Sequence, residues 1–282
     1  MSAFSVSNNP KSEVNEPDDE DEGLSAETLQ ALKEFTLDLG MQCAEEEDIL
    51  ASVRDHFNIQ DKEEIFNMEY TSEDGCRVVK YSCRGLKKEL GQTLSSTGLT
   101  VWRACEHMCE YIFAHPEYIQ NKSVCELGAG LGLLSILMDK MEVCNRIVAT
   151  DGDDDTIELL LENVEENSCQ IDVSKLWWGL HEGFLEMHER FDVVVAADVV
   201  YEEEQIVPLL ETVMAIMIDS GEFLLSFARR NVPIDRVLHT ARAFGLTWIV
   251  LDAEKNELEP IYSFRYSHST KCYIEERERE KE

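Results

Sequence analysis

Four stretches of the chain combine residue types and spacings that can do chemistry. In Val124-Cys125-Glu126-Leu127-Gly128-Ala129-Gly130-Leu131-Gly132-Leu133-Leu134-Ser135-Ile136-Leu137 a short apolar run ends in an acid, glycines follow at alternate positions, and an apolar stretch with helical spacing comes next. That order predicts strand, tight turn and helix start, the layout that brings backbone N–H groups close to a nucleotide-like ligand. A dinucleotide fingerprint requires G-x-G-x-x-G, and here Leu133 stands where the third glycine would fall. The acid at Glu126 does not help an anionic pyrophosphate but suits a ligand with cationic groups. Asp151 follows Gly132 by 19 residues, at the end of a second apolar run. A carboxylate there can accept hydrogen bonds from both ribose hydroxyls. The competing reading is a helix-start acid like Asp153, Asp154 and Asp155, and the preceding glycines favour the ribose role. Asp198 closes the apolar run Phe191–Ala197, with Tyr201 three residues on. The end of a buried strand is where ligand sites of α/β sheets lie. Leu176-Trp177-Trp178-Gly179 is the remaining stretch.

The elements that must position these residues follow from periodicity. Arg77–Ser82 reads as a strand, Thr93–Thr100 as a loop and Arg103 to about Phe113 as a helix. Residues 123–127 are the first core strand, followed by a helix over about 131–140. Arg146–Thr150 is a buried strand, Asp153–Asn167 a helix, and Val173–Trp177 a short strand. Phe191–Ala197 is too short for a helix and uniformly apolar, so it is a fully buried central strand. A helix over about Glu203–Ile218, a strand at Glu222–Ala228 and a helix opened by Pro233 and stopped by Gly245 come next. Thr247–Leu251, then Ile261–Tyr266 or Lys271–Ile274, supply the last strands. Strands alternating with helices predict an α/β fold with a mainly parallel sheet and helices on both faces. The two final strands lack a helix between them, so one strand of the sheet is antiparallel.

Composition limits the partners. The formal net charge is −33, and residues 1–50 hold 14 acids against 2 bases. Such a field repels phosphate backbones and attracts cationic partners. Nucleic acid is therefore disfavoured and a basic protein favoured, although solubility alone also accounts for the charge. Nine cysteines show no CxxC pair and no zinc-like histidine spacing, which predicts free thiols, no metal site and a reducing compartment. Without a signal segment or a run of about 18 apolar residues, no membrane contact is expected, and the cytoplasm, with the nucleus second, is the expected location. Residues 1–23 read as a disordered acidic tail, 24–70 as a helical N-terminal extension and 276–282 as a charged tail.

Glu126-Leu127-Gly128-Ala129-Gly130-Leu131-Gly132, Thr150-Asp151, Leu176-Trp177-Trp178-Gly179 and Ala197-Asp198-Val199-Val200-Tyr201, in this order, resemble the seven-β-strand S-adenosylmethionine-dependent methyltransferases. More narrowly, they are similar to the methyltransferase-like protein-lysine methyltransferases, marked by Asp/Glu-x-x-Tyr after the fourth strand. The resemblance implies a Rossmann-like seven-stranded, mainly parallel sheet with an antiparallel final strand, filling a methyltransferase domain over 71–275. It implies S-adenosyl-L-methionine as cofactor. Gly128, Ala129 and Gly130 would approach its methionine portion, Asp151 its ribose and Trp178 its adenine, with Trp177 the alternative; Ala197 would touch it at the strand end. Trp102 matches a tryptophan lining that pocket in relatives, where an acid commonly follows; this chain has Arg103. Core packing is the other reading of both tryptophan positions. Asp198 and Tyr201 would face the acceptor, a lysine of a protein substrate. Arg229 and Arg230 fall on the same edge. An RNA or small-molecule methyltransferase, or a binding fold without turnover, is the alternative. Amino groups on bases are usually served by an Asn/Asp-Pro-Pro-aromatic motif, which Asp198-Val199-Val200-Tyr201 is not.

Overall fold

The computed structural model describes residues 63–87, 97–228, 232–251 and 260–267, all within one compact unit, Asp61–Glu282. Its centre is a seven-stranded sheet of β3 (Ser123–Leu127), β4 (Arg146–Asp151), β5 (Asp172–Lys175), β6 (Phe191–Ala197), β7 (Met217–Ser226), β8 (Leu246–Val250) and β9 (Ile261–Tyr266). The strands lie in the order β5-β4-β3-β6-β7-β9-β8. Pairing is parallel from β5 through β7, and β9 runs antiparallel to both β7 and β8. The predicted mainly parallel sheet with one antiparallel strand is thus observed. The chain builds outward from β3 to β5 and then returns to β6 on the other side. The switch between β3 and β6 opens a crevice at their carboxyl ends, where such sheets hold ligands.

Each central strand is buried on both faces, which explains its unbroken apolar run. Val193 and Val195 of β6 enter one core, shared with Val124, Met108, Ile112, Leu134 and Ile136. Val194 and Ala196 enter the other, with Leu209, Leu210, Val213, Phe223 and Phe264. The first core is covered by α1 (Arg103–Ala114), α2 (Leu133–Lys140) and α3 (Asp154–Glu166). The second is covered by α4 (Glu182–Met187), α5 (Ile206–Ile216) and α6 (Ile234–Ala243).

A separate two-stranded sheet of β1 (Glu63–Thr71) and β2 (Val78–Leu86) adds to the first core through Tyr70, Val79, Tyr81 and Cys83. This corrects the helical extension expected through residue 70: positions 63–70 are strand. The hairpin docks by side chains. Asn163 accepts from the Arg84 N–H at 2.7 Å and donates to the Arg84 and Leu131 carbonyls, each at 3.0 Å. The Tyr81 hydroxyl donates to the Leu133 carbonyl at 2.8 Å.

Three other boundaries differ from expectation. β5 stops at Lys175, so Trp177 lies in the loop beyond it. α4 was not foreseen, since six residues hold too little periodicity. α5 ends at Ile216 because Met217 already pairs with Phe191. β7 then bulges over residues 218–221 before pairing resumes at Glu222, and a Cβ on Gly221 would stand 2.5 Å from Met217 Cγ and 2.8 Å from the Ile218 carbonyl. The expected helices before residue 60 and the strand at Lys271–Ile274 lie outside the described residues.

Candidate active site

β3 delivers the chain to the crevice at Leu127, and the alternate glycines turn it. Gly128 and Gly130 have φ of 68° and 52°, a region closed to most side chains. A Cβ on Gly128 would lie 2.7 Å from Val199 Cγ1, and one on Gly130 would lie 3.1 Å from the Gly98 carbonyl oxygen. The turn is therefore pressed between the loop after β6 and the 3₁₀ turn Thr97–Leu99. Trp102, preceding α1, donates from Nε1 to the Thr97 carbonyl at 2.8 Å. That bond closes residues 97–102 into a compact piece lying over the glycines. Arg103 is exposed.

Asp151 ends β4 and ties this turn to its neighbour. One carboxylate oxygen accepts from the Gly130 N–H at 3.0 Å, and the other from Gly152 at 2.8 Å and Asp153 at 3.2 Å. Burial raises its pKa, and the three backbone donors offset only part of that rise. The expected helix-start role of Asp153 is observed: its carboxylate accepts from the Thr156 N–H at 2.9 Å.

Glu126 departs from the simple picture of a carboxylate offered to a cationic ligand. It is only 1 % exposed and accepts from the Ser135 hydroxyl in the first turn of α2. Burial pushes its pKa up to about 8, against hydrogen bonds from Ser135 that lower it. The neutral acid is thereby favoured, and the group joins β3 to α2.

The two tryptophans border the turn from different sides. Trp178 is half-buried in the second core, and its ring edge lies 3.7 Å from where a Gly128 Cβ would stand. Trp177 is 59 % exposed, lies against Gly152 beside Asp151, and has the Lys175 ammonium 5.9 Å from its ring centroid.

Ala197 closes β6, and Asp198 follows with φ 59°, uncommon outside glycine but best tolerated by Asp and Asn. The Asp198 N–H donates to the Ser226 carbonyl at 3.0 Å, so the end of β7 holds this conformation in place. Asp198 is 6 % exposed. The Tyr201 N–H donates to Gln205 Oε1 at 2.9 Å, which fixes the loop to the start of α5. Strain in a buried acid at a strand end is a mark of functional positions. Sequence reasoning missed two neighbours here. Gly98 carries only an ordinary loop signal, and Ser226, a fully buried hydroxyl beside Ala197 without a hydrogen-bond partner among the described residues, was passed over for Arg229 and Arg230. Both arginines lie outside the described residues.

The donor set fits S-adenosyl-L-methionine. The left-handed glycines let the backbone approach closely, and the Asp151 oxygen that accepts from Gly130 alone keeps a free lone pair. Trp177 offers a flat apolar face beside Gly152, next to that carboxylate, and Trp178 one beside Gly128, and the acids at 151 and 198 suit a cationic ligand.

A family model described as lysine methyltransferase matches residues 86–241. A protein-lysine N-methyltransferase, EFM3, of Chaetomium thermophilum is 32 % identical over 127 residues, covering 42 % of this chain and 38 % of its own. A protein N-lysine methyltransferase, METTL21A, of Xenopus tropicalis is 33 % identical over 131 residues, covering 45 % and 58 %. A calmodulin-lysine N-methyltransferase of Arabidopsis thaliana is 24 % identical over 167 residues, covering 56 % and 55 %. The chain thus spans 38 to 58 % of the length of these relatives. Among solved structures, a T. thermophilus 16S rRNA N2 G1207 methyltransferase in complex with AdoMet and guanosine shares the fold. Its TM-score is 0.50 at 18 % identity, over 72 % of this chain and 51 % of that one.

Proposed function

The chain belongs to the lysine methyltransferase family, and from that premise we propose that it methylates a lysine side chain of a protein substrate with a basic surface. The observation that carries this reading is a single meeting point. At the carboxyl ends of β3, β4 and β6, a left-handed glycine turn, the Asp151 carboxylate and a strained, buried Asp198 come together. When bound, S-adenosyl-L-methionine supplies a methyl group on a cationic sulfur.

In this reading Gly128, Ala129 and Gly130 receive the methionine portion along their backbone. Asp151 accepts the ribose hydroxyls, Trp178 flanks the adenine with Trp177 at its outer edge, and Ala197 and Trp102 complete the walls. Glu126 acts from beneath, bracing the turn against α2. Direct methyl transfer asks the protein mainly to align a nucleophile. A lysine amine, with pKa about 10.4 in water, must first lose a proton. Asp198 attracts the incoming ammonium, and the apolar surroundings of Val199 and Val200 disfavour its charged form. An Asp198 carboxylate oxygen can take the released proton and keep an N–H bond that aims the lone pair. Tyr201 narrows the entrance.

The test is transfer of labelled methyl from S-adenosyl-L-methionine into lysate proteins, read after hydrolysis as methyl-lysine and insensitive to ribonuclease. Asp198→Asn tolerates the left-handed backbone but removes the charge, and it should lower labelling about a hundredfold or more. Full activity in that variant would remove Asp198 from the acceptor site. We infer a cytoplasmic location, with the nucleus second. The free cysteines support it, exposed Cys76 among them. Among the described residues, no helix is long and apolar enough to cross a membrane.

A further inference from the structure

Outside the crevice, the surface beside its mouth carries exposed apolar side chains that packing does not explain. Trp177 is 59 % exposed, Leu180 72 % and Val207 45 %. The loop that carries the first two is anchored to the helix that carries the third. The Gly179 N–H donates to Thr212 Oγ1 at 2.8 Å. A Cβ on Gly179 would lie 3.6 Å from Pro208 Cβ and 3.9 Å from Glu211 Oε2. Leu180, the next residue, donates its N–H back to the Trp177 carbonyl at 3.0 Å, so the loop is a closed turn seated on the start of α5. At one end of this strip Trp177 lies against Gly152, next to Asp151. At the other, Val207 lies two residues past Gln205, whose side chain holds the Tyr201 N–H. The strip therefore runs along the rim from the cofactor side to the acceptor side. Glu182, Glu204 and Glu211, all exposed, border it. Nearby bases are already paired with acids: Lys175, beside Trp177, with Asp154 at 2.6 Å and Arg236 with Glu203 at 3.5 Å.

We propose that this strip docks the stretch of the substrate protein flanking the target lysine, a stretch with an aliphatic residue set among lysines or arginines. The proposal rests on the lysine methyltransferase reading above and adds the chemistry of the partner. Clustered exposed apolar groups mark interaction surfaces, and a carboxylate border selects a basic partner and repels acidic ones. The same border argues against the other occupants. A second copy docked about a two-fold axis would set these acids against themselves. The chain's own residues 1–50, with 14 acids and 2 bases, would meet like charge.

Short fluorescent peptides test this on the full-length chain by anisotropy. One alternates arginine with leucine, a second has serine for each leucine, and a third has glutamate for each arginine. The wild type should bind the first best, less well in high salt, and the Leu180→Ser/Val207→Ser double variant should bind it about tenfold or more weakly. Both side chains are exposed, so the variant should keep the rise in Tm that S-adenosyl-L-methionine gives the wild type. Equal binding by variant and wild type, or no preference among the peptides, overturns the proposal. So does a wild-type dimer in sedimentation that the double variant dissolves, since the strip would then belong to a second copy. Methyl labelling is measured separately. Its absence in the wild type would remove the transferase reading, while the peptide comparison alone decides the surface.

Discussion

Glu126 and Asp151 are acids on adjacent strands, the first buried and the second half-buried, and their donors set them apart. Asp151 receives three backbone N–H groups, whereas Glu126 is held by Ser135 alone and its pKa is pushed up to about 8 from a usual 4.5. The folded chain thus holds a proton on Glu126 that the unfolded chain has released between about pH 4.5 and 8. Stability from this group is full below the unfolded value and is lost as pH rises through the folded one. Urea unfolding at a series of pH values should show the wild type losing stability relative to Glu126→Gln as pH climbs from 5 to 8.5. Parallel curves would mean that Glu126 is ionised when folded. Ser226 offers a second residue-scale test. Its buried hydroxyl lacks a partner among the described residues, a state that costs on the order of 1–3 kcal/mol. Ser226→Ala should therefore raise Tm rather than lower it, unlike most core truncations.

At the scale of elements, the hairpin of β1 and β2 is held to α3 by the amides of Asn163 and of Asn167 at its C-cap, the latter donating to the Ser82 carbonyl at 2.7 Å, and by Arg84 paired with Glu162 and Glu166. Asn163 is fully buried and satisfies the Arg84 N–H together with the Arg84 and Leu131 carbonyls. Asn163→Ala leaves these groups without partners and should cost on the order of 3 kcal/mol, read as a lower urea midpoint with m unchanged. A midpoint within error of the wild type would show that water replaces the amide. Of this hairpin the sequence showed β2, read as a strand at Arg77–Ser82, but neither β1 nor the docking by Asn163. Along Glu63–Thr71 the inward positions alternate, but Glu64 faces in and the apolar Ile65 faces out, so the apolar pattern is faint, and an asparagine that pairs with a strand edge looks like any helical asparagine. β3 and β6 were legible because burial on both faces demands an unbroken apolar run of strand length. The site divides in the same way. The glycines, Asp151 and Asp198 could be read because each stands at a strand end that the pattern itself marks. The turning of Glu126 onto Ser135, the exit of Trp177 from β5 and the place of Ser226 beside Ala197 depend on neighbouring elements, which spacing along one chain does not encode.

The whole molecule acts through its charge. A field from −33 charges raises the encounter rate of a basic substrate and weakens as salt shortens its reach to about 10 Å at 0.1 M. Residues 1–50 contribute −12 of that total, and the sheet, the crevice and the docking strip all lie in the unit that begins at Asp61. Deleting residues 1–60 should therefore leave the Tm rise with S-adenosyl-L-methionine unchanged. For a basic protein substrate it should raise KM several-fold at low salt while kcat holds, because a long-range field speeds encounter without touching the aligned amine. That difference should vanish near 0.5 M salt, where an encounter field is screened and direct contacts persist. A loss in kcat, or a deficit in KM that survives high salt, would instead give the N-terminal segment direct contact with the substrate.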